Sequence, residues 1–288
     1  MPFSDVAKSM SSAKLDYACP ADILSHLDVF NPTQNHINLI NSIGDVVLRE
    51  TVRDYCMNRR FRSDIFIKGP RSLSVEERDK LLRDLRFVLV RHPKTLDYTA
   101  LALEIGGTIS LNKEVIEPVV AAMAENKFAP KTIAELEAHN TLKDRSVAQI
   151  AETLVTLAGS GVISPAAPED DLSAVQSSCK ALNEELLRRT DIAESSNYLA
   201  SPCIGQGVTA NRVQQYFVLA IQDAKKDKKD WVDFAWDRMA AQNFRIIQNN
   251  ERIEEEDKNK AFLTEQASLF GENQVPLFKA HGVLQQAK

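Results

Sequence analysis

Apolar residues change their spacing several times along the chain, and each change marks an element. Near the start, DVAKSMSSAKLDYACPADI reads as a short helix running into a short strand around Leu15–Ala18. Such a pair cannot bury both faces by itself. No partner strand is evident nearby in sequence, so residues 1–30 are expected to be poorly anchored or to pair with a second copy. From Thr33 to Arg62, Ile37, Leu39, Ile40 and Ile43, then Val46, Val47, Val52 and Tyr55, recur every three or four positions. That spacing predicts helix, interrupted at Gly44. RSDIFIKG alternates like a strand, and Ser74 with Glu77 forms a capping box that opens the next helix. RFVLVRH and LDYTALALE are strand-like, and LEIGGTIS (103–110) reads as a hairpin turn.

The rhythm then changes. EVIEPVVAAMAEN, KTIAELEAHN and RSVAQIAETLVTLAGSG predict three helices, the second and third opened by capping boxes Thr132/Glu135 and Ser146/Gln149. Gly159 and Gly161 are expected to close the third, and a β-prone VIS follows. Three short helices and a brief strand over 111–168 look like a winged-helix-type module. In a DNA-binding module the third helix would be rich in Arg, Lys, Asn or Gln. Here it is apolar or acidic, with only Arg145 at its start, which favours packing or dimer formation. PAAPEDDLSA (165–174) has linker composition, and AVQSSCKALNEELLRRT, VQQYFVLAIQDA and DWVDFAWDRMAAQNF are helical by period. The charged run at 251–260 reads as a solvated helix face. The expected fold is α+β and helix-rich, with six to eight short strands. It comprises a mixed α+β middle domain (31–110), the winged-helix-like module (111–168) and a helical C-terminal domain (169–288).

Composition narrows the chemistry. The 288 residues favour two or three compact units, and 44% hydrophobic residues suffice for ordinary cores. A formal net charge of −5 gives no global electrostatic case for nucleic acid. No apolar run approaches the roughly 20 residues that cross a bilayer. MPFSDVAKSM lacks the basic and apolar regions of a signal peptide. Cys19, Cys56, Cys179 and Cys203 lie far apart without a CxxC pair, so a reduced, cytoplasmic setting is expected. The histidines (His26, His36, His92, His139 and His281) show no metal-ligand spacing, and no metal site is expected.

In LASPCIGQGVTANRVQQYF, Gly205 and Gly207 stand shortly before a helix expected to begin at Thr209, an arrangement that can cradle a phosphate or a cofactor tail. Such a loop needs a hydrophobic strand feeding the glycine turn and an acidic residue some 20 positions on. Pro202 interrupts any strand before Gly205, and Asp223 sits in a helix-like, Lys-rich run. The two glycines are therefore read as positions of tight backbone geometry. No catalytic residue and no cofactor-binding residue is assigned.

RDYCMNRRFRSDIF, with Asn58, Arg59, Arg60, Phe61 and Arg62 at its centre, resembles the signature of the predicted methyltransferase regulatory domain. That domain occurs in bacterial class I S-adenosylmethionine-dependent methyltransferases, including protein-lysine methyltransferases. LASPCIGQGVTANRVQQYFVLA and PLFKAHGVL are similar to the C-terminal domain of the same group. The opening segment resembles the last helix and strand of the group's catalytic core, making 1–30 a remnant of it. The resemblance implies a non-catalytic part that positions protein substrate or dimerises, with S-adenosylmethionine held by a catalytic domain in cis or in trans. The alternatives are a stand-alone interaction adaptor and a winged-helix DNA-binding regulator. Arg59, Arg60 and Arg62 either ion-pair with neighbouring acidic groups or form a guanidinium surface for a partner. A homodimer is possible on this reading, and neither nucleic acid nor a membrane is an expected partner.

Overall fold

The computed structural model describes residues 1–26, 33–102, 108–192 and 196–284. Helix α1 (Phe3–Ser12) leads into β1 (Leu15–Pro20), which pairs antiparallel with β2 (Asp64–Lys68), Tyr17 opposite Phe66. Between the strands lie α2 (Gln34–Ser42) and α3 (Val46–Cys56). Each is opened by a side chain that accepts a backbone N–H: Thr33 from His36, and Asp45 from Leu48. The break expected at Gly44 is thus a second helix start. The first strand is not left unpaired, contrary to the expectation from local sequence. Its partner is β2, and Phe3, Tyr17 and Phe66 stack edge-on and face-on across the pair.

Next come α4 (Val75–Arg83), β3 (Arg86–Leu89), the short pair β4 (Leu101–Ala102) and β5 (Thr108–Ile109), α5 (Lys113–Phe128), β6 (Lys131–Thr132), α6 (Ile133–Glu137), α7 (Val147–Gly159) and β7 (Ile163–Pro165). β4 and β5 pair antiparallel, as a hairpin requires, while the turn at 103–107 lies outside the described residues. Of the strand expected over LDYTALALE, the described residues show β4 alone, and residues 103 and 104 lie outside them. Asp97 accepts from the Thr99 N–H (2.9 Å) and hydroxyl (2.6 Å), and this local turn competes with extended pairing. All three expected capping boxes form. β6, β3 and β7 make an antiparallel sheet with β3 in the centre. Leu89, Val119, Ile150, Leu154 and Leu157, all fully buried, fill the core between this sheet and α5–α7.

Gly159 does not close α7. Ser160 is the cap residue, and Gly161 carries the left-handed backbone with φ +63°. Gly159 serves packing instead: a Cβ there would lie 2.1 Å from Leu24 Cδ2, so only glycine lets the turn Ile23–His26 close on the helix.

The C-terminal part contains α8 (Glu169–Arg188), β8 (Tyr198–Ser201), β9 (Gln206–Thr209), α9 (Arg212–Gln222), α10 (Lys228–Ala241), β10 (Ile247–Gln248), β11 (Glu251–Arg252), α11 (Glu256–Leu269), a π-helical turn Phe270–Gln274 and α12 (Val275–Ala280). The expected linker 165–174 is half helix, because Glu169, Asp170 and Asp171 place negative charge at the N-terminus of α8. The charged run 251–260 is split between β11 and α11. With eleven short strands among the described residues, the chain has more strand segments than the alternation rule suggested. A second core gathers Tyr216, Phe217, Trp231, Met239, Leu263 and Phe270. His281 joins the two cores: its Nε2 lies 2.8 Å from the Leu89 carbonyl, and its own carbonyl accepts from the Ser201 hydroxyl at 2.8 Å.

Candidate interaction surface

The segment Asn58–Arg62 sends its residues in opposite directions for identifiable reasons. Helix α3 ends in a Schellman arrangement: the Arg59 N–H donates to the Asp54 carbonyl (2.9 Å) and the Asn58 N–H to the Tyr55 carbonyl (3.3 Å). Asn58 holds the left-handed position, φ +47°, which Asn tolerates better than other non-glycine residues. The chain turns back sharply there. Arg62 comes to lie against the inner faces of α1, α3 and the β1–β2 pair.

Arg62 is the hub of this unit. Its guanidinium donates to Asp54 (2.8 Å), Asp64 (2.8 and 2.9 Å) and Glu50 (3.0 Å), and covers the Phe3 ring at 4.2 Å. Glu50 also accepts from the Tyr17 hydroxyl at 3.2 Å. Burial opposes the charge on Arg62, but the hydrogen bonds to Asp64 and Asp54 outweigh it and hold the guanidinium charged well above its ordinary range. Burial and the neighbouring Glu50 push the Tyr17 hydroxyl far above the usual phenol range. Of the three arginines, Arg62 thus follows the ion-pairing reading. Arg59 reaches the Ser25 hydroxyl at 3.1 Å, while Arg60 is exposed. Glu50 and Asp54, four apart on one face of α3, were the legible sign of a cation between them.

Around this hub the unit shows apolar side chains to solvent. Phe61 is 91% exposed and Tyr55 78%, and Ile65 and Ile67 occupy the outward face of β2 while Phe66 points in. A two-stranded sheet with an apolar outer face is marginal alone and is commonly covered by another surface.

Gly205 and Gly207 belong to a β-hairpin. Ser201 pairs with Gln206, and residues 202–205 form the turn, with Gly205 at φ +69° and its N–H donating to Ser201 (3.0 Å). Gly207 packs against Tyr198, where a Cβ would come within 3.1 Å. A strand does precede the glycines, ending at Pro202 as that residue demands, but it returns on itself instead of delivering the chain to a helix N-terminus. The helix begins at Arg212, three residues later than expected, behind a capping box of Asn211 and Gln214.

The α7 helix, which would read DNA in a winged-helix regulator, exposes Ala148, Gln149 and Glu152. Arg145 is spent on the Val115 carbonyl at 2.6 Å. Among the described residues no group of three or more His, Cys, Asp or Glu could hold a metal, and no helix is long and apolar enough to cross a membrane.

Residues 1–68 match the family model of the predicted methyltransferase regulatory domain, the stretch built around Arg62. An uncharacterized protein of Synechocystis sp., sll1526, is 29% identical over 282 residues, covering 98% of this chain and 54% of its own length. The structure of PKMT2 from Rickettsia typhi in complex with AdoHcy superposes with a TM-score of 0.54 at 13% identity, over 96% of this chain and 56% of that one. This chain therefore spans about half the length of the relatives it matches. Its fold is shared with a known structure along nearly its full length, and its first 68 residues match the model of a predicted methyltransferase regulatory domain.

Proposed function

We propose that this chain is the non-catalytic, regulatory part of an S-adenosylmethionine-dependent methyltransferase, and that residues 1–68 dock onto the catalytic part, in cis or in trans. The observation that carries the reading is the coincidence of the regulatory-domain match with a unit that is internally knotted by Arg62 yet apolar outside. An inner ion cluster fixes the β1–β2 pair rigidly, and the outer residues Ile65, Ile67 and Phe61, with Arg60 beside them, remain for a partner. Positioning of a protein substrate falls to the same assembly. The glycine hairpin supports the division of labour, since its backbone is committed to strand pairing and tight turning, not to a ligand.

The test uses the stretch of the Synechocystis relative that this chain does not match, produced as a separate polypeptide. Titrated against the whole chain, it should bind saturably, and Ile65→Glu with Ile67→Glu should weaken binding at least tenfold without moving the thermal midpoint of the chain. Indifference of the complex to this double variant, or no complex at all, counts against the docking face. Sedimentation velocity on the chain alone separates self-association through the same face, which the variant would also abolish.

A further inference from the structure

A cleft of about 630 Å³ runs between β7, the β8–β9 hairpin and the end of α12, away from the Arg62 cluster. Three independent features converge on it. The first is an open strand edge. The Ala210 N–H donates to Asn197 (2.8 Å), which fixes the alternation of the hairpin. Gln206 and Val208 then direct their peptide groups at β8, and Gly207 and Thr209 direct theirs away from it. Ala200, opposite Gly207, confirms the phase: on the far side, its N–H and carbonyl are taken by Asn183 at 2.6 and 2.8 Å. Gly207 and Thr209 both line the cleft.

The second feature is a pair of buried polar atoms without a hydrogen-bond partner, His281 Nδ1 and Gln274 Oε1, on two residues lining the same cleft. His281 is 2% exposed. Burial lowers its pKa, so the ring is neutral, and with Nε2–H donating to the Leu89 carbonyl its Nδ1 is an acceptor. Both orphan atoms therefore need a donor, and leaving them without one is costly. The third feature is charge. Arg91 is the one charged residue lining the cleft, and it makes no ion pair among the described residues. Apolar side chains, among them Val90, Ile163, Ile204 and Phe278, cover much of the remaining wall.

We propose that this cleft binds an extended, acidic peptide segment that adds as a strand to the open edge of β9. A carboxylate of the peptide meets Arg91, its N–H groups serve the His281 and Gln274 acceptors, and alternate apolar side chains face the wall. A small anion would answer Arg91 but not the two acceptors or the strand edge. The proposal does not depend on the docking face of residues 1–68 and can fail separately from it.

The probe is a fluorescein-labelled octapeptide alternating Val and Glu, with a Val–Lys octapeptide as control, added to the whole chain. The Val–Glu peptide should bind saturably by anisotropy and slow amide exchange over residues 206–209 at least tenfold. Arg91→Ala should weaken binding at least tenfold with an unchanged thermal midpoint. Thr209→Pro, which removes an outward N–H at a strand edge where proline is tolerated, should weaken it similarly. Equal binding of the Val–Lys peptide, exchange unaltered at 206–209, or full affinity in both variants overturns the proposal. Absence of any binding does so too, and leaves the two acceptors to ordered water.

Discussion

Replacing Arg62 by Met should cost about 3–5 kcal/mol of folding stability at pH 7, the usual penalty for removing one partner from a buried ionic cluster. Glu50, only 5% exposed, would keep its hydrogen bond from Tyr17 and its ion pair with Arg53 (3.3 Å) but lose Arg62, and Asp54 and Asp64 would lose their ion pairs with Arg62. The loss should depend on pH in a defined direction. Burial raises the Asp54 pKa above its ordinary value, while the hydrogen bond and charge of Arg62 pull it down. Without Arg62 the folded-state pKa rises further above the unfolded value. A group raised in this way favours the folded state below the unfolded pKa and loses that contribution as pH climbs through the folded one. The penalty should therefore be largest at neutral pH and shrink as pH falls toward the ordinary aspartate range. Denaturant titrations of both proteins between neutral and mildly acidic pH measure this. Adding Asp54→Asn to Arg62→Met should restore part of the loss. A change below about 1 kcal/mol, as found for exposed pairs, would mean that the cluster behaves as a surface feature.

In the C-terminal core, Phe217→Ala should cost about 3–5 kcal/mol, the range for emptying a buried aromatic site. Phe217 is fully buried, with the Phe270 ring 5.6 Å away and the Trp231 ring 6.4 Å away, each centroid to centroid. Trp231 is further held by its indole N–H, which donates to the Lys225 carbonyl at 3.0 Å, so the pocket has little freedom to collapse. Tryptophan fluorescence during urea unfolding reports on this core directly. A small loss would show that α9–α11 repack around the missing ring.

Local signals in the sequence proved the most dependable. The boxes at Ser74, Thr132 and Ser146 each involve two side chains three residues apart, and all three close as read. The break between α2 and α3 at Gly44 and the tight geometry at Gly205 and Gly207 were legible for the same reason. What depended on distant segments was not. The partner of β1 lies beyond two helices, so the strand looked orphaned, and the hub that unites α1, α3 and both strands was visible only as three arginines with an open role. Acidic residues in PAAPEDDLSA suggested a linker by composition, whereas their position at a helix N-terminus makes them helix-starting. Asn126, Lys127 and Phe128 adopt successive left-handed conformations (φ +55°, +59° and +64°) without a glycine among them, which no local rule would suggest. The cleft between β7, β9 and α12 was equally hidden, since Arg91, Gln274 and His281 meet only through the fold.

On the proposed reading, this chain serves a methyltransferase without holding the cofactor itself. Calorimetric titration of the whole chain with S-adenosylmethionine, carried to millimolar concentration, tests it most directly. The hairpin at Gly205 and Gly207 gives a strand that returns on itself, where a cofactor loop needs a strand feeding a helix N-terminus. No saturable heat is expected. A micromolar dissociation constant for the isolated chain would contradict that reading.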